Sequence, residues 1–364
     1  MPAYILKNPR KVRMENIFKK ILIIQAGGIG DLIMLTPAIS AVKKNFPQAQ
    51  MDVFVGPTPA AKEVLEGSAI ISNVFSFDFL KASFFKKIKF IVGLRKEKYD
   101  LAIVASGTNP FRGSVLALLV GAKIRVGEYR SSKMNFYNRK TKLDGNMHKI
   151  VANLKLLESL GIRAGDPAPA PFFAVRDEDR KFVDEFIVKN NLQGKVLVGF
   201  FPVVGSRQQF KSWPVESFIE LGRMVLENFP GSAIIILGSP TENDLCLKIR
   251  DGIGNNSAFV ANYSLKKAAA LIDRCKVCVS ADGGLGHVAS TTKTELIAIF
   301  GPTIQKRTGP IGERIHVIEA KCSYQYHDIF TPKYDTTKEH RCLKSITPAV
   351  VFNKVKEIFY ENAH

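Results

Sequence analysis

The sequence predicts an α/β protein built from two parallel, doubly wound domains with a ligand cleft between them. Three observations predict it. Short β-branched apolar runs alternate with amphipathic stretches through both halves, the pattern of parallel strands crossed by helices. Glycine-rich turns close several of those runs, where strand hands over to helix and no side chain fits. A chain of 364 residues is also too long for one ordinary core, and the prolines at 167, 169 and 171 mark a linker near its middle. The expected units are an N-terminal Rossmann-like domain over 1–170 and a C-terminal one over 171–345. A closing helix within 346–364 is expected to pack back on the N-terminal domain.

Residues 1–19 are basic, and the most informative stretch follows them. Ile21 to Ala26 suits a strand buried on both faces. Gly27-Gly28-Ile29-Gly30-Asp31 turns the chain, and Leu32 to Phe46 carries it back as a helix. The turn lies at the carboxyl edge of the sheet, where ligands bind in such folds. It is not a dinucleotide fingerprint, because Ile33 stands where a third glycine or alanine is needed. Nor is it a phosphate loop, since no Gly-Lys-Ser/Thr follows. Asp31 reads equally as a helix cap favoured by the helix dipole and as a functional carboxylate at the cleft.

Further strands are expected at 51–55, 74–77, 101–105 and 123–127, with helices at 59–66, 84–98, 111–119 and 148–160. Phe84, Phe85, Ile88, Ile91 and Val92 form an apolar helical stripe with lysines between. Such a stripe either packs on its own sheet or lies on a membrane surface. Residues 128–147 read as a long basic loop with Arg130, Lys133, Arg139, Lys140 and Lys142.

The second half begins again in the same style. A helix opens at Asp177, a strand runs over 196–201, and Trp213-Pro214 leads the next helix. A strand at 233–237 ends in Gly238-Ser239, and Glu242 begins a helix. Another helix ends at Asp273, and a strand at 277–280 runs into Asp282-Gly283-Gly284-Leu285-Gly286-His287. A strand at 296–300 precedes Gly301-Pro302-Thr303, and an amphipathic helix over 348–360 closes the chain. The loops after these strands share one sheet edge. They offer Ser206, Arg207 and Lys211; Ser239 and Glu242; Asp282, three glycines and His287; and Thr303, Lys306 and Arg307. Backbone amides at a glycine-rich helix start receive anions. Lys211 supplies a point charge for phosphate, and an acid such as Glu242 suits ribose hydroxyls. Together these describe a nucleotide-diphosphate site without a metal motif. Singly, each has a plainer role: Glu242 as a helix-start acid, His287 as a buried histidine, Lys211 as a surface lysine.

The net charge of +19 is unevenly spread. Residues 1–160 hold 26 Lys and Arg against 11 Asp and Glu, while 161–364 hold 26 against 22. The basic half is suited to nucleic acid, a membrane surface or a phosphorylated glycolipid. No apolar run is long enough to span a bilayer, and no secretory leader is apparent. Five cysteines in a chain of this size fit a reducing compartment. Cys275 and Cys278 lie on a strand, so their side chains are expected on opposite faces. Cys322, His327, His340 and Cys342 read as loop residues, with a metal site as the alternative.

These motifs, in this order, resemble glycosyltransferase family 9, the ADP-heptose:lipopolysaccharide heptosyltransferases. The resemblance rests on Gly30-Asp31 with Thr36-Pro37, His148 ahead of Leu160-Gly161, Lys211-Ser212-Trp213-Pro214, Leu237-Gly238 with Glu242, the 282–287 segment and Phe300-Gly301-Pro302-Thr303. It implies a GT-B fold, two Rossmann-like domains facing a central cleft, and an inverting transfer with no metal and no cofactor beyond the nucleotide-sugar substrate. The implied reaction moves a heptose or related sugar, from ADP-heptose in the first instance, to an anionic lipopolysaccharide-core or similar glycan. By the resemblance Asp31 is the general base. Ser206, Lys211, Glu242, Asp282, Gly283, Gly284, Leu285, Gly286 and His287 meet the donor, and Gly30, Lys140 and Lys142 meet the acceptor. Gly283 departs from the threonine that many members carry. The expected setting is the cytoplasm, with peripheral contact at the inner membrane surface and no nucleic acid partner. The alternatives are another nucleotide-sugar enzyme of this fold, such as an epimerase, and a non-catalytic binder of nucleic acid or anionic membrane.

Overall fold

The structure is a computed structural model that describes residues 18–129, 134–163, 165, 167–202, 208–254, 257–322 and 341–361. The first domain alternates β1 (Lys20–Gln25), α1 (Ile29–Asn45), β2 (Gln50–Val55), α2 (Pro59–Leu65), β3 (Asn73–Ser76), α3 (Phe84–Lys96), β4 (Leu101–Val104), α4 (Pro110–Leu119), β5 (Ile124–Tyr129), β6 (Arg139–Lys142) and α5 (Lys149–Glu158). Its six strands are parallel, in the order β3-β2-β1-β4-β5-β6. The chain winds outwards from β1 to β3, then returns to the other side of β1. The carboxyl ends of β1 and β4 therefore flank the switch point, where doubly wound sheets take ligands.

The second domain repeats the plan. It runs α6 (Asp177–Lys189), β7 (Val196–Phe201), α7 (Val215–Asn228), β8 (Ser232–Ile236), α8 (Asn243–Ile253), β9 (Ala258–Val260), α9 (Leu265–Ile272), β10 (Cys275–Ala281), α10 (Gly284–Ala289), β11 (Glu295–Phe300), α11 (Gln305–Thr308), β12 (Ile315–Glu319) and α12 (Pro348–Glu361). The parallel order β12-β11-β10-β7-β8-β9 places the switch between β7 and β10.

Helices α3 and α4 cover one face of the first sheet, over Leu22, Ile24, Phe54, Ala102 and Val104. The other face, under α1, α2 and α5, shares one continuous apolar core with the α6, α9 and α10 side of the second sheet. The domains meet through α1 against α10 and α2 against α9. The far side of the second sheet carries α7, α8 and α12.

Several sequence motifs have a local physical reason. Pro37 sits inside α1 and lacks the N–H that would serve the Ile33 carbonyl. The Thr36 hydroxyl donates to that carbonyl instead, at 2.7 Å, and accepts from Phe172 N–H at 2.9 Å. One Thr-Pro pair thus repairs the helix and anchors the linker. Trp213 is buried, and its Nε1–H donates to the Ile346 carbonyl at 2.9 Å. A side chain on Gly301 would meet Leu343 at 2.7 Å, so the glycine admits the returning C-terminal segment.

That segment corrects the expected place of the closing helix. Val351, Phe352, Val355 and Ile358 of α12 bury against α7 and the second sheet, beside Trp213 and Phe218, and not on the N-terminal domain. Three short strands escape the sequence reading: β6 inside the expected loop 128–147, β9 and β12. Cys322 and Cys342 form a disulfide with Cα atoms 5.4 Å apart, a departure from the reduced set expected. His327 and His340 lie outside the described residues. Among the described residues no three His, Cys, Asp or Glu side chains are grouped to hold a metal ion.

Candidate active site

At the first switch point the ends of β1 and β4 are stitched by a buried glutamine. Gln25 Nε2 donates to the Ser106 carbonyl at 3.2 Å. Its Oε1 accepts from Gly27 N–H and from the Thr108 hydroxyl, both at 2.9 Å. Asn153 on α5 accepts from Ser106 N–H at 2.8 Å and pins the same turn from the other side. These bonds fix the backbone on which Asp31 is presented.

Asp31 lies in the first turn of α1, half-buried. Its Oδ2 accepts from Gly28 N–H at 3.2 Å, which is capping geometry. A side chain on Gly27 would strike that carboxylate at 2.5 Å. Gly107, at φ +94, lies beneath it: an added Cβ would come within 2.6 Å of Lys149 Nζ and 3.3 Å of Asp31 Oδ1. One carboxylate oxygen thus serves the cap, and the other faces a turn shared with an ammonium group. Gly107 and Lys149 escape the sequence reading. Ser106-Gly107-Thr108 is nonetheless one more glycine turn at a strand end, and Lys149 follows His148 directly.

The second switch point carries the opposite charge. Lys211 follows the loop after β7, and its Nζ lies 3.0 Å from Asp282, which follows β10. The same Asp282 oxygen accepts from the Thr303 hydroxyl at 2.7 Å. Side-chain exposure is 14% for Lys211 and 6% for Asp282, so this is an ion pair largely shut off from water. Asp282 is turned inwards and orients Lys211. Glu242 Oε2 accepts from Ser239 N–H at 2.9 Å and from the Ser239 hydroxyl at 2.6 Å, so it closes a helix-start box. Gly283 is the extended residue before α10, Leu285 packs on the shared core, and Gly286 passes close over Ser280. Ser206 lies outside the described residues.

The two sites interlock. A Cβ on Gly30 would meet the His287 ring at 2.6 Å, and one on Gly284 would meet Ile29 at 2.9 Å. Each domain's glycine makes room for the other's side chain. His287 is buried, and desolvation is the main cause that holds its pKa down at about 4, against the raising fields of Asp282 and Asp31. It is neutral at physiological pH. His148 caps α5, and its Nδ1 accepts from Ile150 N–H at 3.2 Å. That leaves Nε2–H to donate across the cleft to the Gly309 carbonyl at 2.9 Å. Burial lowers the His148 pKa as well.

Lys140 and Lys142 are exposed on β6 at the sheet edge, three strands or about 14 Å across from β1. They are not part of the interlocked cluster. The sequence reading of Cys275 and Cys278 is also corrected. An irregular register between Cys275 and Val277 turns the strand, and both sulfurs lie beside Gly199, at 3.4 and 2.5 Å from an added Cβ.

The profile of glycosyltransferase family 9 (heptosyltransferase) matches residues 88–332. The chain belongs to this family. It is 24% identical over 358 residues to lipopolysaccharide heptosyltransferase 2 of Salmonella typhimurium, covering 94% of this chain and 99% of the relative. It is 27% identical over 294 residues to lipopolysaccharide heptosyltransferase 3 of Escherichia coli, covering 75% of this chain and 81% of the relative. Among solved structures, E. coli ADP-heptose lps heptosyltransferase II superposes with TM-score 0.77 at 20% identity, over 95% of this chain and 100% of that one. A family 9 glycosyltransferase of Veillonella parvula gives 0.80 at 22%, over 94% and 98%. E. coli heptosyltransferase WaaC, solved with ADP-2-deoxy-2-fluoro heptose, gives 0.68 at 19%, over 93% and 99%. This family 9 chain therefore has the GT-B fold of the heptosyltransferases.

Proposed function

We propose that this family 9 chain is an inverting, metal-independent glycosyltransferase. It moves a heptose or closely related sugar from ADP-heptose to an anionic lipopolysaccharide-core or similar glycan. The observation that carries the proposal is the convergence of two switch points. At the interlocked glycine turns the buried His287 ring packs on Gly30 and lies in the fields of both the half-exposed Asp31 carboxylate and the Lys211–Asp282 pair. The related WaaC structures hold ADP and an ADP-heptose analogue, which supports the same donor class here.

In this reading the second domain binds the donor. Lys211 and the amides of the 282–287 turn hold the diphosphate as it leaves, and Glu242 holds the ribose. The first domain brings the acceptor, whose negative charge matches the basic half and includes contacts to Lys140 and Lys142. Asp31 takes the proton of the acceptor hydroxyl as that oxygen attacks the anomeric carbon, and the carbon inverts. Gly30 gives its own space to the His287 ring, and the open space beside Asp31 lies at Gly28, where an added Cβ would meet nothing within 4 Å. His287, neutral and buried, holds the seam between the turns. The reaction runs in the cytoplasm.

The test is direct transfer. The purified protein is incubated with ADP-heptose and a heptose-deficient core oligosaccharide, and the product is read by mass spectrometry. The proposal expects a mass gain of one heptose and release of ADP. ADP-heptose binding with no transfer to any phosphorylated core acceptor would return the protein to the other nucleotide-sugar activities of this fold.

A further inference from the structure

Among the described residues, helix α3 has one apolar side packed and a second left uncovered. Leu94 is its only buried residue among those described, while Phe90 and Ile91 pack inwards on the Phe54, Phe77 and Phe79 cluster. Phe84 is 71% exposed and Phe85 82%, and Ile88 and Val92 are exposed beside them. At 3.6 residues per turn these four fall within an arc of about 100°. Leu80 precedes the helix and is also exposed. Leu118 and Leu119 at the end of α4 adjoin it, where Arg95 Nη1 donates to the Leu119 carbonyl at 3.0 Å.

The charge around this face has one sign. Lys81, Lys86, Lys87, Lys89, Arg95, Lys96 and Lys98 fall between 79 and 98, against the single acid Glu97. Glu97 is taken by Lys20. Asp78, just before this stretch, accepts from the Leu80 and Lys81 backbone N–H groups at 2.9 and 3.1 Å, and among the described residues no carboxylate forms an ion pair with the side-chain ammonium of Lys81, Lys86, Lys87 or Lys89.

We propose that the α3 face is a docking surface for an anionic lipid bilayer, with Phe84, Phe85, Ile88 and Val92 entering the headgroup boundary and the flanking lysines meeting lipid phosphates. Exposed aromatics beside a lysine-rich flank are the composition of a helix lying in a membrane surface. The cores of protein–protein interfaces are instead depleted in lysine. Residues 1–17 lie outside the described residues, and their sequence, with Lys7, Arg10, Lys11 and Arg13 against Glu15, carries charge of the same sign as the α3 flank. The placement suits the work of the site. Helix α3 covers the sheet face opposite the domain seam, so docking leaves the seam free. Its first turn follows the carboxyl end of β3, on the same edge as the Asp31 turn.

The test is co-sedimentation of the full chain with vesicles of phosphatidylcholine alone or with one part in three phosphatidylglycerol. The anionic vesicles are expected to bind it and the neutral ones to bind it weakly, with binding that weakens as salt rises. Phe84→Ser with Phe85→Ser should lower the partition at least about tenfold. Lys86→Glu, Lys87→Glu and Lys89→Glu together should lower it at least about a hundredfold. Both variants should keep the thermal midpoint and the turnover on a water-soluble acceptor. Lys140→Glu with Lys142→Glu is the control for diffuse charge and should cost much less. Absent binding to anionic vesicles, equal binding by all variants, or an equal loss in the control would overturn the proposal. A concentration-dependent dimer abolished by the Phe84 and Phe85 changes would overturn it too, and assign the face to a second copy. None of these outcomes touches the transfer reading, which is measured with soluble acceptor.

Discussion

The two switch points share one topology and carry opposite electrostatics. Between β1 and β4 the turn presents a carboxylate that is half-exposed, held by one backbone amide and standing beside an ammonium. Between β7 and β10 the turn holds an ammonium already matched by a buried carboxylate, which in turn accepts from the Thr303 hydroxyl. The difference teaches that the repeated scaffold assigns a place and leaves the chemistry to a handful of side chains. In the proposed reading, the carboxylate that gains a proton is the one left half-exposed. In the same reading, the cation that holds the diphosphate is fixed by its neighbours beforehand, which would lower the reorganisation needed during reaction.

The sharpest way to break this contrast is at Asp31. Asp31→Asn keeps a side-chain oxygen that can accept from Gly28 N–H, so the thermal midpoint and donor affinity should hold. Turnover should fall by a factor of roughly 100–10,000 if the carboxylate is the base. Near-normal turnover would reduce Asp31 to a cap and erase the contrast.

Lys211→Ala should destabilise the fold by about 3 kcal/mol, because Asp282 is left buried and unpaired. It should also weaken the donor. Lys211→Met with Asp282→Asn separates the two effects. Recovered stability without recovered donor affinity is the expected result in urea melts and donor titrations. If affinity returns with stability, Lys211 serves the fold alone.

The seam predicts a pH dependence. His287 has a folded pKa near 4, below the usual 6.5, so the unfolded chain takes up its proton first as pH falls. Its contribution to stability is present above pH 6.5 and is lost through the window down to 4. About 2–3 kcal/mol should be gone by pH 4.5, with His148 adding in the same direction. Urea midpoints measured from pH 7.5 to 4.5 should show the slope, and His287→Gln should flatten it. An unchanged slope would assign it to other groups.

Gly30→Ala is the mildest probe. Its methyl would enter the His287 ring, and overpacking of this kind costs roughly 1–3 kcal/mol. The expected signs are a lowered midpoint and a weaker response of turnover to donor concentration. An alanine that costs nothing would mean the seam opens freely at this point.

Much of this was legible in the sequence because it is local. The strands with β-branched runs, the glycine turns and the edge they share follow from short windows. The parts that were not legible depend on distant partners or on packing. Gln25 is a single polar residue ending an apolar run, and nothing nearby reveals that it bonds residues more than 80 positions away. Lys149 acquires meaning only once Gly107 lies beneath it. β6 reads Arg-Lys-Thr-Lys, with no apolar alternation, because an edge strand is kept charged against further pairing. The amphipathic stripe of α12 announces a buried face without saying which domain buries it. The facing sulfurs of Cys275 and Cys278 depend on a register irregularity that spacing does not show.

The core that runs unbroken from the first sheet to the second has a calorimetric consequence. Domains joined by a thin polar contact unfold separately and move freely. Here α1, α2, α9 and α10 bury apolar side chains against one another. Separating the two halves would wet that surface before either had unfolded. A heating scan should therefore show one endotherm, with van't Hoff and calorimetric enthalpies in agreement, from a chain long enough to show two.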